Sequence, residues 1–368
     1  MPLLIYLDSQ DYTNLSAQPE LLAELLELKD GGQANYVYSL AVISECAPIT
    51  PTATKFAVER SKNIVKLCGR NTFLSIDRIL EREFLSLAGL PPTRDDVLST
   101  NGDWFPSVDS LLDPIDRRKA FEEVLVEKSL NRKQRRMVRS QAMRGNSFRV
   151  RASQSILADT ETTLAEIIRT YPMKQENASL ILRYIAGAAT RSQAENAMKD
   201  SFRDPHWMMQ WFDQHNDKLS FVSSFIRAPS RKVHNQMRES IELSKSNNHF
   251  SDDDWYRLID HLIVELGGKY ARKHKVETAL TLDTVRMHCP GFVTFFQTVR
   301  EFVRDSLGTS DRRLKDSDFA DAIHSFHAPY VDIFRADKYM AKKISLCKGA
   351  STTICSRLSD LPSLIRQT

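Results

Sequence analysis

The fold is decided by the N-terminal stretch Leu3-Leu4-Ile5-Tyr6-Leu7-Asp8, a continuous apolar run that ends at an acidic residue. Such a run is typical of a strand that is buried on both faces of a parallel sheet. Leucines at near-helical spacing follow between residues 12 and 29, and Pro19 is expected to interrupt or restart that helix. The chain therefore begins as a buried strand followed by helix.

Strand and helix patterns alternate at both ends of the chain. Near the N-terminus, a short strand at Tyr36–Tyr38 precedes a helix at Leu40–Glu45, for which Ser39 is placed as the N-cap. Near the C-terminus, a helix at Ser317–Ala328 leads to a strand at Val331–Ala336. This order predicts an α/β fold, with both ends sharing one sheet.

The middle of the chain carries almost no strand signal. Its candidate helices span residues 117–128, 132–143, 160–171, 178–198, 205–214, 220–243 and 252–274. We therefore expect a helix-rich protein in which an α/β domain, formed by residues 1–90 and 276–368, is interrupted by an inserted all-helical domain at 91–275.

Composition excludes several classes of protein. The 368 residues are 42% hydrophobic and 27% charged with a formal net charge of +4, which is ordinary for a globular chain. The five cysteines are widely spaced and form no C-x-x-C pair, so they are expected to be reduced, buried thiols rather than zinc ligands or a redox couple. Because there is neither an 18-residue apolar run nor a signal-peptide pattern, a cytoplasmic protein without membrane association is expected.

Five acidic residues are candidates for chemistry. Asp8 and Asp337 each follow an apolar strand, at the edge where open α/β sheets place ligands. Asp318 and Asp321 lie three residues apart on one face of the first turn of a helix. Glu45 ends a short helix whose apolar neighbours must face the core. Clustered carboxylates repel one another unless a cation compensates them, and Mg²⁺ or Mn²⁺ suits oxygen ligands.

The order of these acidic segments resembles the three motif blocks of the PIN-like ribonucleases. The blocks are Leu4-Ile5-Tyr6-Leu7-Asp8-Ser9, Ser39-Leu40-Ala41-Val42-Ile43-Ser44-Glu45, and the run from Asp318 to Asp337. Asp321-Ala322-Ile323 is similar to the start of the family's third-block helix, whereas Asp318 fits the usual separation from Asp337 better. Both aspartates are therefore kept as candidates for the third acid.

The resemblance implies a three-layer α/β/α domain with a mostly parallel central sheet. It further implies an endoribonuclease that depends on Mg²⁺ or Mn²⁺, with Asp8, Glu45, Asp321 and Asp337 as metal ligands and Asp318 as a further catalytic candidate. A toxin-like or antiphage defence role is an expectation from the family. The helical insertion is longer than the compact family requires, and Arg335-Ala336-Asp337 replaces its commoner threonine-containing approach to the last acid.

Each candidate also has a structural interpretation. Asp318 and Asp337 can cap the helices that they begin, and Asp321 and Glu45 can lie on a solvated surface. His324 and His327, three residues apart, are interpreted as hydrogen-bonded structural histidines rather than ligands. Asp11 and Asp332 have no assigned role.

A basic segment in the middle of the chain is the candidate nucleic-acid interface. It contains Arg132, Lys133, Arg135, Arg136, Arg139, Arg144, Arg149 and Arg151 and no acidic residue. On a helix, its first half presents one basic face that suits a phosphate backbone, although a solvated face or a patch that binds an acidic protein regulator remains open. The alternative function is a catalytically inactive PIN-like module that binds nucleic acid or protein.

Overall fold

The computed structural model divides the chain into two compact units. The described residues are 1–105, 173–185, 189–215, 251–276, 280–307, 315–347 and 352–368. One unit comprises Met1–Pro106 with Pro205–Thr368, and the other comprises Ser107–Asp204. Both ends of the chain therefore belong to one unit. The predicted helices at 117–128, 132–143, 160–171 and 220–243 lie outside the described residues, and the insertion boundaries at 91 and 275 stay a prediction.

The two ends of the chain form one parallel sheet. The strands of the described residues are β1 (Leu3–Tyr6), β2 (Ala34–Val37), β3 (Thr72–Phe73), β4 (Leu98–Ser99), β5 (Ile333–Arg335) and β6 (Thr353–Cys355). The sheet has the order β2-β1-β5-β6, and all three of its pairings are parallel. Leu3 lies opposite Ala34, and Ile5 lies opposite Ile333. The N-terminal strand thus occupies a central position, which explains why it is apolar on both faces.

Helices make up most of the described chain. They are α1 (Ser9–Ser16), α2 (Pro19–Asp30), α3 (Leu40–Cys46), α4 (Thr54–Cys68), α5 (Ile76–Ser86), α6 (Arg94–Val97), α7 (Gln175–Ile185), α8 (Arg191–Phe202), α9 (Pro205–Gln214), α10 (Asp252–Lys273), α11 (Leu282–His288), α12 (Pro290–Leu307), α13 (Asp316–Ser325), α14 (Lys338–Ile344) and α15 (Leu361–Gln367). This content, together with the parallel sheet, confirms a helix-rich α/β protein.

Most element predictions hold, and the exceptions have local causes. Pro19 begins α2, where its missing N–H costs nothing because the first helical N–H groups have no partner within the helix. The single helix predicted over 178–198 is wrong, because Thr190 and Gln193 form reciprocal hydrogen bonds that start α8 afresh. The short helices α6 and α11 were not predicted.

A buried carboxylate ties the two halves of the sheet-bearing unit together. Glu83, on α5, is fully buried and accepts hydrogen bonds from the backbone N–H groups of Gly291 (2.6 Å) and Phe292 (3.2 Å) and from the Tyr330 hydroxyl. Burial raises the pKa of Glu83 to about 8, although these three donors favour the charged form. The side chain caps the start of α12 from the other end of the sequence.

None of the helices in the described ranges is both long and apolar enough to cross a bilayer. All five cysteines are free and buried, as expected from their spacing.

Candidate metal centre

The carboxyl edge of the central strands brings the two ends of the chain together. Asp8 is the second residue after β1, and Asp337 is the second residue after β5. Because β1 and β5 are adjacent and parallel, both acidic residues emerge at the same edge of the sheet. Strand pairing therefore places these two residues at one edge of the sheet although they are far apart in sequence.

Asp8 is held by the first turn of α1. Its backbone N–H donates to Asp11 Oδ2 at 3.1 Å, and the Asp11 N–H donates back to the Asp8 carbonyl at 3.1 Å. Asp11 is fully buried, and its Oδ1 lies 2.8 Å from Nη2 of Arg335 at the end of β5. Burial raises the pKa of Asp11 to about 7, against the opposing charge of Arg335. Asp11, which had no assigned role, thus braces the backbone of Asp8 against the neighbouring strand.

Glu45 reaches the same edge from the end of α3. The preceding Val42 and Ile43 are fully buried, as the sequence predicted, which leaves the Glu45 side chain only partly covered. The Ser9 hydroxyl donates to Glu45 Oε2, and Nε2 of His324 lies 3.1 Å from the same oxygen. Glu45 is therefore oriented by contacts from both ends of the chain.

His324, on α13, lies at the centre of this group of side chains. Its Nδ1 is 2.7 Å from the Tyr6 hydroxyl, which in turn is 2.7 Å from the hydroxyl of Ser39. Ser39 occupies the N-cap position of α3, but its side chain forms this contact instead of capping the helix. The hydrogen bond expected of His324 is present, whereas the surroundings of its second ring nitrogen were not foreseen.

The second nitrogen faces carboxylates. One potential ligand atom from each of Asp8, Glu45 and His324 lies within 4.8 Å of the others. Burial opposes a charge on the imidazole, but Glu45, Asp8 and Asp321 outweigh it and raise the pKa of His324 to about 9. The site is consequently an acidic cluster with one imidazole inside it.

Asp321 adds a further carboxylate from the first turns of α13. Burial raises its pKa to about 7, helped by the charges of Glu45, Asp8 and Asp337 and opposed by His324. The carboxylates from both ends of the chain therefore act electrostatically on one another. Asp337 is exposed and caps α14, since its Oδ1 accepts the backbone N–H of Met340 at 2.7 Å.

Asp318 lies one turn earlier on the same helix. It is almost fully buried, and its Oδ2 accepts the backbone N–H of Lys315 at 2.8 Å, at the start of α13. This contact is of the capping kind that the sequence left open for Asp318.

Two residues near these motifs have other partners. Asp332 lies before β5, at the opposite edge of the sheet, and both its oxygens contact Arg94 at 2.6–2.8 Å while one accepts the Leu4 N–H at 2.7 Å. His327 stacks on Tyr6 with a centroid separation of 5.4 Å, and burial lowers its pKa to about 3. Both are structural.

The basic segment from Arg132 to Arg151 lies outside the described residues.

His324 was interpreted from the sequence as structural, yet the sequence carried a signal that it lies at the site. Asp321 and His324 are three residues apart, so they share a helical face. If Asp321 lies near a cluster of carboxylates, His324 is therefore expected to lie near the same cluster.

Comparisons with known proteins return no relative for this arrangement. No protein-family model matches the chain, and searches of curated proteins and of solved structures found no significant match.

Proposed function

We propose that this chain is a PIN-like, metal-dependent endonuclease that hydrolyses phosphodiester bonds, in RNA rather than DNA. The observation that carries the proposal is the grouping of Asp8, Glu45 and His324 at one sheet edge, from segments more than 270 residues apart in sequence. Asp321 lies close enough to this group for the charges of Glu45, Asp8 and Asp337 to act on it. Carboxylates that raise one another's pKa are unfavourable for folding alone, so their grouping favours a functional explanation.

The donor set fits a divalent cation. Asp8 and Glu45 offer carboxylate oxygens that lie within 4.8 Å of each other and of a ring nitrogen of His324. Asp321 is close enough for their charges to add to the effect of burial in raising its pKa. Such an ion, when bound, activates water and stabilises charge on the leaving oxygen of a phosphodiester.

The protein's own residues supply orientation. Asp11 and Arg335 fix the backbone at Asp8, and Ser9 restrains the Glu45 carboxylate. Asp337 is exposed, which leaves it accessible from solvent for a substrate. Preorganised carboxylates of this kind reduce the reorganisation needed when a charged substrate binds.

The preference for RNA, and a toxin-like or defence role, come from the resemblance to PIN-like ribonucleases. The basic segment from Arg132 to Arg151 is the proposed substrate-binding surface, because eight cations without an acidic residue suit a phosphate backbone.

The test is cleavage of single-stranded RNA by the full chain with Mn²⁺. Asp8→Asn and Asp337→Asn should each reduce the rate at least about 100-fold, a loss of ~2.7 kcal/mol in transition-state stabilisation. Asp332→Asn is the matched control, because it changes an aspartate at the opposite edge of the same sheet. Unchanged cleavage in both site variants refutes the proposal.

A second candidate is a catalytically inactive module that binds nucleic acid or protein. It is favoured by the raised pKa of His324, since an imidazolium inside the cluster supplies positive charge that a metal otherwise provides. Calorimetry separates the two functions. RNA binding without Mg²⁺ or Mn²⁺ binding supports the module, whereas binding of either ion supports the enzyme.

A further inference from the structure

We infer that His324 is a direct metal ligand through Nε2, and that the site selects a divalent first-row transition ion over Mg²⁺. The inference rests on the proposed metal-dependent function and names the class of ion that the same site takes.

The ring of His324 is oriented so that Nε2 lies beside Glu45. The Tyr6 hydroxyl holds Nδ1, so Nε2 is the nitrogen left to face the carboxylates of Asp8 and Glu45. A metal-bound histidine typically donates its other N–H to a fixed acceptor, which sets its tautomer and orientation. The Tyr6 oxygen supplies such an acceptor, because the Tyr6 hydroxyl can itself donate a hydrogen bond to Ser39 Oγ.

Nε2 of His324 lacks an aligned hydrogen bond. The side chain of His324 is only 5% exposed, and Nε2 forms no hydrogen bond of good geometry, although Oε2 of Glu45 is 3.1 Å away. An ion pair in a buried setting gains most when the N–H points directly at the oxygen. Ligands arranged around an ion point at the ion and need not point at each other.

The distance also fits neighbouring ligands. Bonds of about 2.1 Å to an octahedral ion place adjacent ligand atoms about 3.0 Å apart, close to the observed separation. Asp321 lies three residues before His324 on the same helical face, and its charge acts on the imidazole.

The chemistry of the donors decides the ion. Mg²⁺ strongly prefers oxygen ligands, whereas imidazole nitrogen suits transition ions such as iron, cobalt and zinc. A set of one imidazole nitrogen and two carboxylates therefore binds divalent first-row transition ions, Mn²⁺ included, better than Mg²⁺.

The experiment uses Mn²⁺ as the probe, bound to the full chain. Pulsed electron paramagnetic resonance should show a ¹⁴N coupling from one imidazole, and ¹⁵N-histidine labelling of the unaltered protein should replace that coupling with a ¹⁵N coupling. His324→Gln should abolish the nitrogen coupling and weaken Mn²⁺ binding about 10-fold or more while changing Mg²⁺ binding less. His261→Gln, an exposed histidine on α10, is the matched control and should retain the coupling.

The outcomes separate the two proposals. Mn²⁺ binding without a histidine coupling, or a coupling that survives in His324→Gln, overturns the inference and leaves the proposed function intact. Absence of both Mn²⁺ and Mg²⁺ binding overturns the proposed function as well. Because the labelling measurement needs no substitution, a poorly folded variant does not prevent a decision.

Discussion

Gly291→Ala should destabilise the sheet-bearing unit although alanine is the better helix former. Gly291 is the second residue of α12, and its N–H donates to Glu83. A Cβ at this position would lie 2.7 Å from the backbone oxygen of Phe326 and 2.8 Å from Oε1 of Glu83. The backbone oxygen cannot rotate away, so the start of α12 must shift.

The size of the effect follows from three contributions. Overpacking a tight site costs about 1–3 kcal/mol, and weakening the buried hydrogen bond to Glu83 costs about 1–2 kcal/mol more. Alanine recovers about 0.5–1 kcal/mol through helix propensity. The expected net loss is roughly 1–4.5 kcal/mol, which lowers Tm by about 2–9 °C in a unit of this size.

Thermal unfolding and hydrogen exchange provide the assay. Exchange should accelerate most at the first turn of α12, where the Glu83 cap is disturbed. The control is Gly89→Ala, because a Cβ there meets nothing within 4 Å, and its stability should stay within about 0.5 kcal/mol of the wild type. Equal Tm values for Gly291→Ala and Gly89→Ala would refute the reasoning.

Three further predictions concern the site and the opposite edge of the sheet. Saturating Mn²⁺ at about 100 times its Kd should stabilise the chain by about 2.7 kcal/mol in a thermal shift assay; an equal shift in Asp8→Asn would contradict the assignment of Asp8. Asp321 keeps its proton up to about pH 7 when folded, whereas the unfolded carboxyl releases it near its ordinary pKa of 3.8, so metal-free stability is lost as pH rises through that window. Asp321→Asn should lack this part of the loss, and identical Tm–pH curves with and without the substitution would count against it. Asp332→Ala removes the acceptor of Arg94 and of the Leu4 N–H, so we expect a loss of about 1–2 kcal/mol in urea unfolding with unchanged RNA cleavage; slowed cleavage in a folded protein would be the contrary result.

The sequence predicts those parts of the structure that depend on local pattern. The apolar run before Asp8 indicates a strand buried on both faces, and β1 occupies such a position. The burial of Val42 and Ile43 follows from the short apolar helix in which they lie. The long, uninterrupted apolar periodicity of Pro290–Leu307 predicts a helix, and α12 spans these residues.

Other features depend on contacts that no local pattern contains. The position of His324 beside Glu45 requires the roll of α13 on the sheet, which Tyr6 fixes from the other end of the chain. The break between α7 and α8 is different, because a local pattern for it is present. Thr190 and Gln193 form a capping pair that is recognisable in the sequence, but the prediction of one continuous helix relied on helical propensity alone.

The pairing of β1 with β5 can form only after β5 has been synthesised. Leu4 and Asp332 bond to each other across 328 residues of chain. A ribosome that adds about 5–20 residues per second needs roughly 15–65 s to make the intervening polypeptide. For almost all of that interval Asp8 and Glu45 exist without Asp321, His324 and Asp337. We therefore expect the acidic group to assemble only after the segment that contains α13 and β5 has been made.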